Sequence, residues 1–285
     1  RGLGDVYKRQ EFEGTPFGGV FRGNNHVIQH LTIDPNEAEP RYVGLFGTIE
    51  GSAAQVDGLG IENAAIACIS PAVCVGTLAG LSHGTISNCY ATGSLEGDHY
   101  VGGLVGESSF GTISHCHTAV SITGSEAGND WIGGLVGNNH SSIVSDSYST
   151  GSVTGNGFVG GLVGYNLGEI SFCYASGPVE GNDNVGGLCG WNAQYIGNCY
   201  TSGSVTGTNW VGGLIGHNSY GSVSNCYATG SVEASSFVGG LVGYTNGGII
   251  ITCYSMGVVT GDMDPGAFVG AVSYTHLTLP TNREV

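Results

Sequence analysis

The feature that most constrains this chain is a recurring string, Gly-Gly-Leu-x-Gly, which begins at Gly102, Gly133, Gly160, Gly186, Gly212 and Gly239. Successive copies lie 31, 27, 26, 26 and 27 residues apart. Degenerate copies at residues 43–47 (VGLFG) and 75–80 (VGTLAG) extend the series upstream, and residues 268–270 (FVG) open another downstream. The second half of each unit recurs as well, as GTISNCYATGSLEG over residues 84–97 and GSVSNCYATGSVEA over residues 221–234. One such unit cannot bury its own apolar face, so a chain of this kind stacks its units into a solenoid.

Helical repeats are longer and rich in Ala, Leu, Glu and Lys. Here each unit offers short Val/Ile/Leu/Thr/Tyr segments punctuated by glycine and Asn/Asp turns, with no segment of helix length. The spacing predicts an all-β fold, a parallel β-helix (β-solenoid) of about nine coils of 26–31 residues with three short strands per coil. At ~4.8 Å between coils the rod is roughly 43 Å long.

Aligning the units places Leu31, Leu59, Cys89, Cys116, Ser147, Cys173, Cys199, Cys226 and Cys253 in one column. Two residues on, facing the same way, lie Ile33, Ile61, Ala91, Thr118, Ser149, Ala175, Thr201, Ala228 and Ser255. These two columns read as an inward core ladder, large side chains early in the chain giving way to cysteine and small residues. The residue between them points outward and reads Tyr90, His117, Tyr148, Tyr174, Tyr200, Tyr227 and Tyr254. A further column before each Gly-Gly reads Tyr100, Trp131, Phe158, Asn184, Trp210 and Phe237.

Charge narrows the partners. The net charge is -16, and the basic residues are Arg1, Lys8, Arg9, Arg22, Arg41 and Arg283, so no Lys or Arg occurs from Tyr42 to Asn282. Nucleic-acid binding needs a basic face to neutralise phosphates and is excluded. Anionic membrane surfaces are disfavoured for the same reason, and no apolar run approaches the ~20 residues of a membrane span. Residues 1–10 (RGLGDVYKRQ) and 272–285 (VSYTHLTLPTNREV) lack the repeat pattern and resemble translated sequencing-adaptor sequence. The expected organisation is therefore a foreign segment at 1–10, one repeat domain over 11–271 and a foreign segment at 272–285.

The strings VGGLVG and GTISNCYATGSVxG, with the opening PFGGVFRGNNHVIQHLTI over residues 16–33, resemble the GLUG-motif repeats of bacterial surface and secreted proteins. That resemblance covers nearly all of residues 11–271. It implies a β-helical region of a large exported protein, in an extracellular or cell-surface setting. It also implies either an adhesin-like role or a place beside the peptidase part of an immunoglobulin A1-specific metallopeptidase. No catalytic residue carries over from the repeat.

Other chemistry was weighed against structural readings. The nine cysteines show no CxxC or similar zinc spacing, so the six in the column read as buried free thiols. Cys68 and Cys74 lie off the column and form the best candidate disulfide pair. In His115-Cys116-His117 alternation sends the thiol inward and both histidines outward, with tyrosines beside His117 in neighbouring coils, so no metal is expected there. Asp98, Asp130 and Asp183 near turn columns are candidate calcium or glycosidase carboxylates, but equivalent positions hold Asn156, Thr208 and Ser235, ordinary turn formers. The chain has no HExxH and no GxSxG, so neither catalysis nor a cofactor is expected.

The functional expectation is a non-catalytic, rod-like spacer and adhesion surface. Tyr90, Tyr148, Tyr174, Tyr200, Tyr227 and Tyr254 are its candidate binding ladder, for a glycan or a host-surface protein. A region presenting a secreted metallopeptidase domain, or a β-helical polysaccharide lyase or hydrolase, are the alternatives. Residues 11–271 alone are expected to self-associate end to end through uncapped coils.

Overall fold

The computed structural model describes residues 15–34, 41–68, 74–124, 130–263 and 265–278. Within them the chain forms one 36-stranded parallel sheet wound into a solenoid of about eight turns, close to the expected nine. No helix occurs among the described residues. Each segment pairs with the same segment of the coils before and after it. Tyr174, for example, pairs with Tyr148 on one side and Tyr200 on the other.

One coil shows the construction. It contains the strands Phe158–Gly160, Val163–Asn166, Glu169–Ser171, Tyr174–Ala175 and Val179–Glu180, which is five short segments where three were expected. The extra bends have two causes. One is the residue before the cysteine column, which is left-handed in every coil from Asn88 onward: Asn88, His115, Asp146, Phe172, Asn198, Asn225 and Thr252 have φ between 50° and 55°. Asparagine and aspartate tolerate that conformation best, which explains why Asn dominates the position. The other cause is the Gly-Gly corner. A β-carbon on Gly187 would overlap the Gly213 carbonyl oxygen of the next coil.

The glycine corner and the small-residue column are two sides of one contact. Thr118 Oγ1 donates to the Gly134 carbonyl at 2.6 Å, and Thr201 Oγ1 to the Gly213 carbonyl at 2.7 Å. The rod is thin here, and from Ala91 onward only Ala, Ser and Thr occupy the position between the two walls, after Ile61 in the coil before. Elsewhere the interior is filled by ladders of like residues. Leu78, Leu104, Leu135, Leu162, Leu188, Leu214 and Leu241 are all fully buried, as are Ile86, Ile113, Val144, Ile170, Ile196 and Val223.

The core ladder runs Leu59, Cys89, Cys116, Ser147, Cys173, Cys199, Cys226 and Cys253, all buried. It does more than fill space. The left-handed corner turns the backbone N–H of these residues toward the side chain one coil on. The N–H groups of Cys173, Cys199 and Cys226 each donate to the next cysteine Sγ at 3.4 Å, and that of Cys116 to Ser147 Oγ at 3.0 Å. Ser147 is therefore a working substitute, whereas an aliphatic side chain would leave a buried N–H unsatisfied.

Leu31 and Ile33 do not belong where equal spacing put them. The strand Val20–Gln29 is offset from the next coil by 35 residues before a bulge between Arg22 and His26 and by 33 after it, so His26 stands beside Leu59 and Ile28 beside Ile61. Ile33 instead pairs with Ile66, in the column that continues through Leu95, Ile122 and Val153. Leu31 is still buried, but one strand further along the coil. All nine cysteines are buried and none is in a disulfide, so Cys68 and Cys74 are not the pair expected. Cys68 ends one strand opposite Gly97, while Cys74 begins another opposite Tyr42 and Tyr100.

The proposed foreign ends are only partly within the described residues. Residues 272–278 complete the last strand, Val269–Thr278, which pairs with Val242–Ile251 through two register shifts. Residues 1–10 and 279–285 lie outside the described residues.

Two substitutions test this construction by urea denaturation. Gly187→Ala should cost about 4 kcal/mol or more, because backbone must move. Gly47→Ala should stay within about 1 kcal/mol, because its β-carbon would meet nothing closer than the Tyr42 carbonyl oxygen at 3.6 Å. In the cysteine column, Cys199→Ser should be nearly neutral, and Cys199→Val should cost about 1–3 kcal/mol by orphaning the Cys173 N–H.

Candidate functional site

The outward column stacks as one continuous ladder. Tyr90, His117, Tyr148, Tyr174, Tyr200, Tyr227 and Tyr254 have successive ring centroids 4.6–5.1 Å apart and interplanar angles of 9° or less. His117 is thus a member of the stack, and burial between Tyr90 and Tyr148 lowers its pKa. Its neighbour Cys116 points inward and donates to the Ser114 carbonyl at 3.2 Å. The structure therefore sends the parts of the His115-Cys116-His117 string in opposite directions.

Stacking decides what this ladder can offer. A ring whose two faces are covered by neighbouring rings has no face left for a sugar. Only its edge and hydroxyl reach solvent, except at Tyr254, which ends the stack and is 43% exposed. At the other end the Tyr90 hydroxyl donates to Glu62 Oε1 at 2.8 Å, and that bond raises the phenol pKa.

A second aromatic cluster flanks the Gly-Gly corner. It combines the expected column before the glycines with one that the sequence reading passed over, the residue directly after Gly-Gly-Leu-x-Gly: Tyr165, Trp191, His217 and Tyr244. The hairpin-tight corner brings the two columns side by side. Trp131 stacks on Tyr165 at 4.1 Å, and Tyr165 on Trp191 at 4.3 Å. His217 then meets Trp191, Trp210 and Tyr244 at 6.1, 5.9 and 4.9 Å. Its Nε2 is buried without a hydrogen-bond partner, and burial pulls its pKa to about 4. Matching the position after each glycine string would have found this column.

Beneath that strand lies another ladder the sequence reading missed. Asn139 Nδ2 donates to Asn166 Oδ1 at 2.7 Å, Asn166 to Asn192 at 2.8 Å and Asn192 to Asn218 at 2.8 Å. All four amides are buried, and each supports the next coil.

Three other aromatic side chains are mostly exposed, Phe110 with its ring 5.6 Å from that of His140. Phe110, Phe172 and Tyr220 are 72%, 61% and 71% exposed. All three have left-handed backbones, at φ 56°, 55° and 60°. A bulky residue in that conformation is strained and uncommon, and such strain gathers at functional positions. Phe172 occupies a position that three other coils fill with Asn and one with Asp, the residues that tolerate it best, so its ring comes at a local cost in stability.

The candidate carboxylates divide. Asp183 accepts from the Asn209 amide at 2.9 Å on an adjacent coil. Asp98 and Asp130 come together with His99 between them, their ligand atoms within 4.8 Å of one another. Asp130 is not equivalent to Asp98. Its register neighbour is His99, whose carbonyl accepts from the Trp131 N–H that follows Asp130.

With this geometry in view, the comparison with known proteins is direct. The model of the GLUG motif matches residues 132–154 and 207–233. Each match spans one coil, from the inward Val/Ile before the glycine pair, or the turn just ahead of it, to the strand that follows the tyrosine. The repeat is the GLUG motif. Halomucin of Haloquadratum walsbyi is 41% identical to this chain over 91 residues, which is 32% of the chain and 1% of that relative. Both matched stretches contain the glycine corner, the buried leucine beside it and an outward tyrosine across the rod.

His217 predicts a pH dependence. Its folded pKa lies below the ordinary 6.5, so the unfolded chain takes up the proton first as pH falls. Stability from this residue should be complete above about pH 6.5 and drain away between there and about pH 4. Urea midpoints measured at pH 7.5, 5.5 and 4.5 should fall in the unmodified chain. In His217→Phe that part of the decline should disappear.

Proposed function

We propose that this GLUG solenoid is a non-catalytic rod segment of an exported, cell-surface or extracellular protein, where it acts as a spacer and presents an interaction surface. The observation that carries the reading is the unbroken coil-on-coil stacking of both the core and the tyrosine ladder. This gives a stiff rod whose regular surface is already occupied by its own side chains. Similarity to Halomucin supports the surface setting.

Glycan or host-surface binding falls to the most exposed rings. Phe110, Phe172 and Tyr220 lie two coils apart in turn, roughly 10 Å along the axis at the spacing of parallel strands. Exposed aromatic faces suit sugar rings and apolar partner patches, and the acidic, nearly base-free surface suits neutral or cationic partners rather than polyanions. The tyrosine ladder contributes stiffness and a row of hydroxyl edges. End-to-end association belongs to the same proposal, because Met256, Val258 and Met263 are 74%, 72% and 57% exposed on the late coils.

An immobilised panel of glycans and host-surface proteins tests the reading. The intact chain should bind at least one member, and Phe172→Asn with Tyr220→Asn should weaken binding at least tenfold. The same Phe172→Asn change should raise stability by about 1 kcal/mol, since Asn relieves the left-handed strain. Tyr200→Leu should do the reverse, lowering stability and sparing binding. Binding untouched by the Phe172 and Tyr220 changes, or release of reducing sugar from the panel, would count against the proposal. Light scattering of the intact chain should show mass rising with concentration.

A further inference from the structure

The tyrosine ladder holds reactive groups in a geometry that its stacking role does not use. Tyr148, Tyr174, Tyr200, Tyr227 and Tyr254 follow one another in register on successive coils. Their ring centroids are 4.6, 4.8, 5.1 and 5.0 Å apart, with interplanar angles of 5°, 9°, 6° and 3°. Parallel strands in register set like atoms side by side, so the ortho carbons (Cε) of each ring face those of the next. The faces are covered, while the edges and hydroxyls reach solvent. The other tyrosine ring contacts among the described residues are with Trp, Phe or His. Tyr165, for example, lies between Trp131 and Trp191.

We infer that this run of tyrosines is a site of oxidative cross-linking, where hydrogen peroxide acting through a haem peroxidase joins neighbouring coils by dityrosine. Each of two adjacent phenols loses one electron to the oxidant and its hydroxyl proton to water, leaving two phenoxyl radicals. Their unpaired electrons pair in a new bond between a Cε of one ring and a Cε of the next. Each joined carbon then releases its hydrogen as a proton and each oxygen takes one up, which restores two phenols. Two tyrosines and one hydrogen peroxide thus give one dityrosine and two waters. The spin density of a phenoxyl lies in lobes above and below the ring, so the bond forms face to face, the arrangement the ladder already holds. The rings need close by about 1.5 Å to reach a near-attack separation of ~3–3.5 Å, and their outer edges, in solvent, have room to tilt.

The surroundings favour the phenols over competing targets. All nine cysteines are buried, and oxidation of a thiol follows its exposure. The run also has a defined start. His117, which has no phenol, separates Tyr90 from Tyr148, and the Tyr90 hydroxyl is engaged by Glu62 at 2.8 Å. Each link ties residues 26 or 27 positions apart, one coil to the next, and so fixes covalently the stacking that the ladder makes by contact. The chemistry belongs to the ladder alone and is independent of the proposed binding role of Phe110, Phe172 and Tyr220.

The test treats the full chain, in dilute solution, with a haem peroxidase and hydrogen peroxide, and reads dityrosine by its fluorescence and by peptide mass spectrometry. Links should form within single chains, at a yield per chain that does not change on dilution. They should map to Tyr148–Tyr174, Tyr174–Tyr200, Tyr200–Tyr227 and Tyr227–Tyr254, and exceed links through the exposed Tyr220 by at least about tenfold. Tyr200→Phe keeps a ring in the stack and removes its phenol. Both links through that position should vanish, while Tyr148–Tyr174 and Tyr227–Tyr254 persist. His117→Tyr closes the gap in the run, so links from that position to Tyr90 and Tyr148 should appear. Absence of dityrosine, links between chains only, links through Tyr220 as abundant as those of the ladder, or no new link in His117→Tyr would each overturn the proposal.

Discussion

Everything in this rod depends on the approach of one coil to the next at the Gly-Gly corner. The second glycine of each pair lies so close to the following coil that a β-carbon would meet its carbonyl oxygen. That approach keeps the coils at parallel-strand spacing and in register, and register then places like residue over like residue for the length of the rod. The leucine, isoleucine, cysteine and asparagine ladders follow from it. So does the restriction of the facing wall to Ala, Ser and Thr, because a thin cross-section leaves no room for more.

Stacking like on like has a consequence for the surface as well as for the core. A planar side chain repeated at every coil is driven onto its own copies, since parallel rings at about 4.8 Å are in favourable contact. The tyrosine ladder shows the result, seven rings tilted by 9° or less from their neighbours. A regular aromatic column in a solenoid therefore consumes the faces that would make it a binding platform. Recognition has to come from residues that break the column, and this separates Phe172, the one aromatic carbocycle in a mostly polar column, from Tyr174 two residues later.

The fold was legible because its signal is repeated. The glycine string and the cysteine–tyrosine pair each recur often enough to fix period, strand type and the inward or outward sense of their columns. What equal spacing could not show was where coils gain residues. The first coil is offset from the second by 33–35 residues rather than 28, which displaces Leu31 and Ile33 by a strand, and nothing in their identity as aliphatics reveals it. The number of bends was also hidden, because a left-handed Asn before a cysteine looks like an ordinary polar residue until its φ is known. For the candidate site the limit was different. Asp98 and Asp130 were visible as carboxylates near turns, but aligning them to each other concealed that His99 is the register neighbour of Asp130. The buried asparagine ladder carries no such signal, since polarity ordinarily marks the surface.

In a repeat this regular, departures are the informative positions. Each coil must satisfy the same backbone pairing, so a residue that costs stability without aiding the stack has no structural reason to be there. Phe110, Phe172 and Tyr220 accept left-handed strain to hold a large ring in water. Asp130 brings a fully buried carboxylate beside His99. Both costs fall at corners, where a coil can change without breaking the ladders that run along the flat faces. The GLUG coil thus divides its labour by geometry. Its straight segments are committed to stacking, and its corners are free to carry rings and charges that the rod itself does not need.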